Sequence, residues 1–197
     1  DQAPEVFLDA NTLSDNGTIS IGQVAFSKSA QLSAYSQSKA GSDWRSIHIL
    51  DTATKQALEP PLQNVKFSGI TWLGDTGFYY SSYQKPDGSA LTAQVDDHRL
   101  YFHRLGTSQL DDELIYGGPK DEKRRYVSAD LTEDQRYLSI QTAQTTAGNT
   151  LFIKDLSQPD SPFIELKTEE HAETRVIESI HETLLLFPSH GAPNGRL

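Results

Sequence analysis

The sequence predicts an all-β chain, a partial β-propeller of about three to four four-stranded antiparallel blades. Three observations predict it. One grammar of short apolar runs and polar turns recurs three times, with anchors at Ile49, Phe102 and Ile153 spaced 53 and 51 residues apart. Each recurrence holds four strand-sized segments, the make-up of a propeller blade. Few segments carry the i, i+3, i+4, i+7 apolar pattern of an amphipathic helix.

The elements follow in order. The first unit opens at Val24 with VAF, turns at SKSA, and continues through LSAYSQS and SIHILD. The second opens at Ile70 with ITW, turns at LGDT, and continues through GFYYSSY and RLYFHRL. The third opens at Ser128 with SADL, turns at TEDQ, and continues through RYLSIQT and TLFIKDL. Fourth strands are expected at ALEPPLQ, DELIYGG and FIELKTE, and a fourth unit, RVIESIHETLLLFPSHGAPNGRL, stops at Leu197 before its pattern is complete. These assignments rest on alternation, on aromatic and β-branched enrichment, and on Gly, Asp, Asn, Ser and Pro between the runs. The expected repeats cover residues 20–62, 63–118 and 124–167, with an incomplete fourth over 174–197. Residues 168–180 mix charges without a clean apolar stripe and read equally as a short helix or as a loop plus a strand. A blade has two apolar faces and cannot bury both alone, so neighbours must stack about an axis. An antiparallel sandwich of about twelve strands is the alternative.

Composition narrows the function. A formal charge of -10 and a pI near 4.9 argue against nucleic-acid binding, which needs clustered cations. The one basic knot, KDEKRR at Lys120–Arg125, contains two acids and no interleaved aromatics. Zero cysteines exclude disulfides, a thiol nucleophile and thiolate zinc sites. Eight Phe, eight Tyr and two Trp supply a core, so disorder is not expected. No apolar run approaches the ~20 residues of a membrane span. No basic and apolar leader opens the chain, so no signal peptide is expected on it. The compartment is cytoplasmic or, for a parent whose signal has been removed, periplasmic. No residue is Met, position 1 included, which reads as a processed or excised piece of a longer chain.

Self-contained chemistry is not expected. No G-x-S-x-G nucleophile elbow occurs, and His181-Glu182 has no second His at zinc-site spacing. The six histidines are scattered, and His48 and His103 fall in third strands pointing away from their apolar neighbours, so surface positions are expected for them. Asp96-Asp97 and Asp111-Asp112-Glu113 lack the spacing of a calcium loop and read as solvated turns, while in residues 9–17 Leu13 occupies a ligand position. Asn16-Gly17-Thr18 matches a glycosylation sequon, but an Asx-Gly turn entering a strand is the safer reading. Gly117-Gly118-Pro119-Lys120 lacks the spacing of a phosphate loop. No metal or cofactor is expected.

FLDANTLSDNGT over residues 7–18 and VAFSKSAQLSAYSQSKAGSDWRSIHILD over 24–51, with the marker Gly41-Ser42-Asp43-Trp44, resemble the prolyl oligopeptidase family. The likeness continues through NVKFSGITW, GFYYSSY, RLYFHRLGTSQLDDELIY and ADLTEDQRYLSIQ, and weakens in the last unit. It implies about the first half of a seven-bladed propeller that caps an α/β-hydrolase domain bearing a Ser-Asp-His triad. That domain is not expected on this chain, so no catalytic residue is assigned and the chain alone should be inactive. For the parent, the resemblance implies a serine peptidase cleaving short peptides after proline, with the propeller gating entry. The substrate-binding positions it implies are Phe67, Tyr126, Ala143 and Thr146, on the S3 side of the pocket. At Ala143 a basic residue of the family is missing. The implied partners are proline-containing peptides, the hydrolase domain and the remaining blades. Neither nucleic acid nor membrane is expected, and self-association through exposed blade edges is. A free-standing module binding a protein or peptide is the alternative function. A carbohydrate-binding propeller is a weaker one, since Trp44 and Trp72 fall in strands as packing residues.

Overall fold

Fourteen strands form three four-stranded antiparallel sheets and a two-stranded one in the computed structural model, which describes residues 5–83, 97–166, 172–192 and 194–196. The first sheet contains β1 (Ile19–Phe26), β2 (Leu32–Lys39), β3 (Trp44–Asp51) and β4 (Leu62–Lys66), paired in sequence order. The second contains β5 (Thr71–Leu73), β6 (Gly77–Tyr83), β7 (His98–Arg104) and β8 (Glu113–Tyr116). The third contains β9 (Tyr126–Leu131), β10 (Tyr137–Ala143), β11 (Thr150–Asp155) and β12 (Ile164–Leu166). Hairpin β13 (Thr174–Ile180) and β14 (Thr183–Pro188) is the fourth. Strands β1 and β5 touch, as do β5 and β9, so the first strands of successive sheets gather on one side as blades about an axis do.

Alternation in β6 explains the stacking. Every residue of GFYYSSY is buried. Phe78 and Tyr80 pack into one cluster with Ala34, Ile47, Ile49 and Leu62 of the first sheet. Tyr79 faces the other way and joins Phe102, Val127, Leu138 and Ile140 in the cluster shared with the third sheet. A strand covered on both faces can be apolar or aromatic at every position, because no face meets water. The anchors Ile49, Phe102 and Ile153 are 0%, 7% and 6% exposed, each in a third strand.

Side-chain amides tie each sheet to the next. Gln23 Oε1 accepts from the Ile70 N–H at 2.9 Å. Gln135 takes the Gly74 N–H at 2.7 Å and donates to the Trp72 carbonyl at 3.1 Å. Asn149 does the same with both main-chain groups of Thr174, at 2.7 and 2.8 Å. Buried main-chain groups at sheet margins lack ladder partners, and an amide offers a donor and an acceptor at once.

Several expectations need correction. The fourth strand of the first sheet is Leu62–Lys66, later than ALEPPLQ. Pro60 and Pro61 carry no N–H, so after an isolated bridge between Leu50 and Ala57 the pairing with β3 is interrupted and resumes at Leu62. His98 and His103 are each 1% exposed rather than solvated, and His48 is half-buried, stacked 4.9 Å from the Tyr35 ring. Asp112 is no solvated turn residue, for its side chain is 2% exposed. Within 168–180 the strand reading holds from Thr174 onward, and residues 168–171 lie outside the described ones. Asn16 does make the Asx turn, its Oδ1 accepting from the Thr18 N–H and hydroxyl, with Gly17 at φ +64°.

Candidate substrate-facing site

Three aromatic rings meet where β4, β6 and β9 converge at one end of the sheets. Phe67 directly follows β4, Tyr83 ends β6 and Tyr126 begins β9. The Phe67 ring centroid lies 6.2 Å from that of Tyr83 and 6.1 Å from that of Tyr126, in edge-on and tilted arrangements that suit ring quadrupoles. Phe67 is 48% exposed at φ +52°, a left-handed backbone that a residue with a bulky Cβ substituent adopts at a cost of about 1–2 kcal/mol. An aromatic ring held in strained backbone and half offered to solvent is not explained by core packing.

Beneath the rings sits His98. Its ring is 4.4 Å from that of Tyr83. Nδ1 accepts from the Val127 N–H at 2.8 Å, and Nε2 faces the Lys66 carbonyl at 2.9 Å. An amide can only donate and a carbonyl can only accept, so the imidazole is neutral with its proton on Nε2. Burial disfavours its cation and depresses the pKa to about 4. This side chain joins the main chains of three blades directly below the aromatic surface.

Tyr126 also opens a cleft of about 500 Å³ between the third and fourth sheets, walled by Gln141, Ala143, Thr146, Arg175 and Phe187. Tyr126 and Ala143 are register partners across β9 and β10. Of the four positions singled out from the sequence, Tyr126, Ala143 and Thr146 therefore share one cleft. Phe67 lies outside it, joined through the Tyr126 ring, and lines a second cleft with Gly22, Ser36, Asp43 and Arg45. Two cations escaped the sequence reading. Arg175, 5.0 Å from the Phe187 ring, enters the first cleft, where Ala143 brings no charge of its own. Arg45 enters the second. The available signal was a basic residue within a strand of a strongly acidic chain.

The opposite end of the second blade holds a carboxylate–imidazole–carboxylate chain. His103 Nδ1 lies 2.7 Å from Asp112 Oδ1 and Nε2 lies 2.6 Å from Glu59 Oε1. The Tyr80 hydroxyl donates to Asp112 Oδ2 at 2.7 Å, and the Gly106 N–H donates to Glu59 Oε2 at 2.8 Å. Burial works against the His103 cation, but hydrogen bonds and charge from Asp112 and Glu59 outweigh it and raise the pKa. With the imidazole 1% exposed and both nitrogens engaged, no substrate reaches it, so the chain is a structural tie between Glu59 and the second blade. Among the described residues no cluster of His, Asp and Glu is arranged to hold a metal, and no helix is long and apolar enough to cross a membrane.

Comparison with known proteins bears on the family and the fold. Residues 1–197 match the family model described as prolyl oligopeptidase, N-terminal beta-propeller domain. The prolyl endopeptidase of Elizabethkingia meningoseptica is 51% identical over 194 residues, covering 98% of this chain and 27% of that protein. Prolyl oligopeptidase A of Amanita bisporigera is 34% identical over 177 residues, covering 80% and 23% respectively. A solved structure from work on two prolyl endopeptidases and their inter-domain dynamics superimposes with a TM-score of 0.84 at 28% identity, over 98% of this chain and 27% of that one. The chain thus spans about a quarter of the length of these relatives. It belongs to the prolyl oligopeptidase family, as part of its N-terminal β-propeller domain.

Proposed function

We propose that this propeller segment screens short proline-containing peptides for a serine peptidase centre carried elsewhere in the parent protein, and walls the S3 side of its pocket. Phe67 and Tyr126 provide the flat apolar surface, while Ala143 and Thr146 leave room in the cleft beside them. The observation that carries the reading is the Phe67–Tyr126 contact, 6.1 Å between centroids, which joins a half-exposed, backbone-strained phenylalanine to a ring lining a cleft of about 500 Å³. Extended peptides gain affinity on such surface by burying side chains against aromatic planes. Arg175 supplies in that cleft the cation that Ala143 lacks. A lid of this kind binds without reacting, and the proline rule and acyl-enzyme chemistry belong to the catalytic part.

The test is steady-state kinetics of the full-length protein on a chromogenic proline peptide. Phe67→Ala and Tyr126→Ala should raise KM with kcat little changed, the pattern of lost binding rather than lost chemistry. The isolated chain should turn over nothing. KM values unchanged from the wild type in both variants, or turnover by residues 1–197 alone, would overturn the reading.

A further inference from the structure

We propose that the second cleft, beside Phe67, is a carboxylate subsite in which Arg45 grips an acidic group of the bound peptide. The inference rests on the peptide-screening role above and adds a charge preference to it. The cleft encloses about 400 Å³ and is lined by Gly22, Gln23, Ser36, Asp43, Arg45 and Phe67, with Ser68 at its margin.

Arg45 lies two residues before Ile47 on β3, on the face that packs against the second blade, at the end of that face where the apolar cluster gives way to the cleft. Its guanidinium rests against the first strand. A Cβ built on Gly22 would fall 1.9 Å from Arg45 Nη1 and 2.5 Å from Ser36 Oγ, so only glycine at position 22 admits the fork in this pose. The one side-chain hydrogen bond to that fork among the described residues is a long one, 3.4 Å from Nη1 to Ser36 Oγ. No carboxylate among the described residues pairs with it. A guanidinium carries five donors in a plane shaped for a carboxylate, and here the side chain lines the cleft with that single hydrogen bond among the described residues.

The neighbours point the same way. Lys66, 8% exposed, holds its ammonium 5.1 Å from the Phe67 ring and 5.3 Å from the Trp44 ring. The one acid in the cleft, Asp43, leans on that ammonium at 3.7 Å. Gln23 is engaged with both main-chain groups of Ile70. Two cations against one carboxylate leave a net positive hollow in a chain of charge -10, next to an exposed ring. An acidic group satisfies the fork, and the apolar part of the same peptide lies on Phe67. That group is a peptide carboxylate, either an acidic side chain or the free C-terminus.

Calorimetric titration of the full-length protein with four proline-free peptides decides the matter: Ala-Phe-Glu-Ala and Ala-Phe-Gln-Ala, each as free acid and as amide. The side-chain source predicts glutamyl peptides binding about tenfold tighter than glutaminyl ones, and the terminal source predicts the same ratio between acid and amide. In Arg45→Met that ratio should fall to within about twofold. Ratios near one in the wild type, or an unchanged ratio in Arg45→Met, overturn the proposal. If Arg45→Met does not fold, the wild-type ratio measured in rising salt replaces it: it should shrink as ions screen the pair, and an undiminished ratio overturns the proposal equally. Failure to cleave any proline peptide would remove the peptidase reading while leaving this comparison of uncleaved ligands intact.

Discussion

Lowering the pH from 7 to 4 should loosen the propeller through one side chain, His98. In the folded chain its Nδ1 accepts from the Val127 N–H and its Nε2–H donates to the Lys66 carbonyl, an arrangement only the neutral ring can make. Its pKa is about 4 in the folded chain, against an ordinary 6.5. Between those values the unfolded chain binds more protons than the folded one, so stability rises with pH across the window. The contribution is complete above about pH 6.5 and is lost as pH falls through 4, and it amounts to about 3 kcal/mol. Against a typical total of about 5–15 kcal/mol that loss is large. The Asp155–Arg136 pair acts lower down, where the carboxylate titrates at about 2, so it does not obscure the window. Imidazole nitrogen NMR should show His98 as the Nε2–H tautomer, neutral down to about pH 4, and urea unfolding should show the matching decline. In His98→Gln, whose amide does not titrate, the acid decline should flatten. A titration midpoint near 6.5, or the Nδ1–H tautomer, would refute the reasoning.

Other outcomes follow from the same geometry. His103 runs the opposite way: its raised pKa makes its contribution complete below about pH 6.5 and lost as pH rises through the folded value. Glu59→Gln should move that loss to lower pH, read from urea midpoints between about pH 6 and 9. Gly77→Ala should cost about 3 kcal/mol in thermal unfolding, because the added Cβ would sit 2.1 Å from the His103 carbonyl oxygen, which belongs to paired main chain and cannot yield. Phe67→Ala should raise KM about fivefold in the full-length protein yet change stability by less than about 1 kcal/mol, since the ring is already half in water.

The spacing of Ile49, Phe102 and Ile153 made the repeat legible, and all three lie buried in third strands. The same alternation misjudged His103, and an acidic run at 111–113 gave no sign that Asp112 is buried against it. In a two-layer sandwich a residue pointing away from the apolar face meets water, but in stacked blades it meets the next blade. His103 accordingly meets Glu59 from the loop before β4, 44 residues away in sequence. The strand after Ala57 was placed early because apolar residues flank Pro60 and Pro61, and hydrophobicity does not register a missing donor. In the site, Phe67 and Tyr126 came from a family likeness. Their contact joins residues 59 positions apart through the meeting of three sheets, which no local pattern encodes. Arg45 read as one more polar position in an alternating strand, and only the closeness of Gly22 shows where its charge is directed.

The way His98 is held has an evolutionary corollary. Both of its partners are main-chain atoms, so the tie itself makes no demand on which side chains stand at positions 66 and 127. Proline at 127 is the exception, for it alone lacks the hydrogen that the imidazole accepts. The junction beneath the aromatic surface is thus written in a single residue, and the ring positions around it can be varied to admit different peptides while the scaffold below stays put.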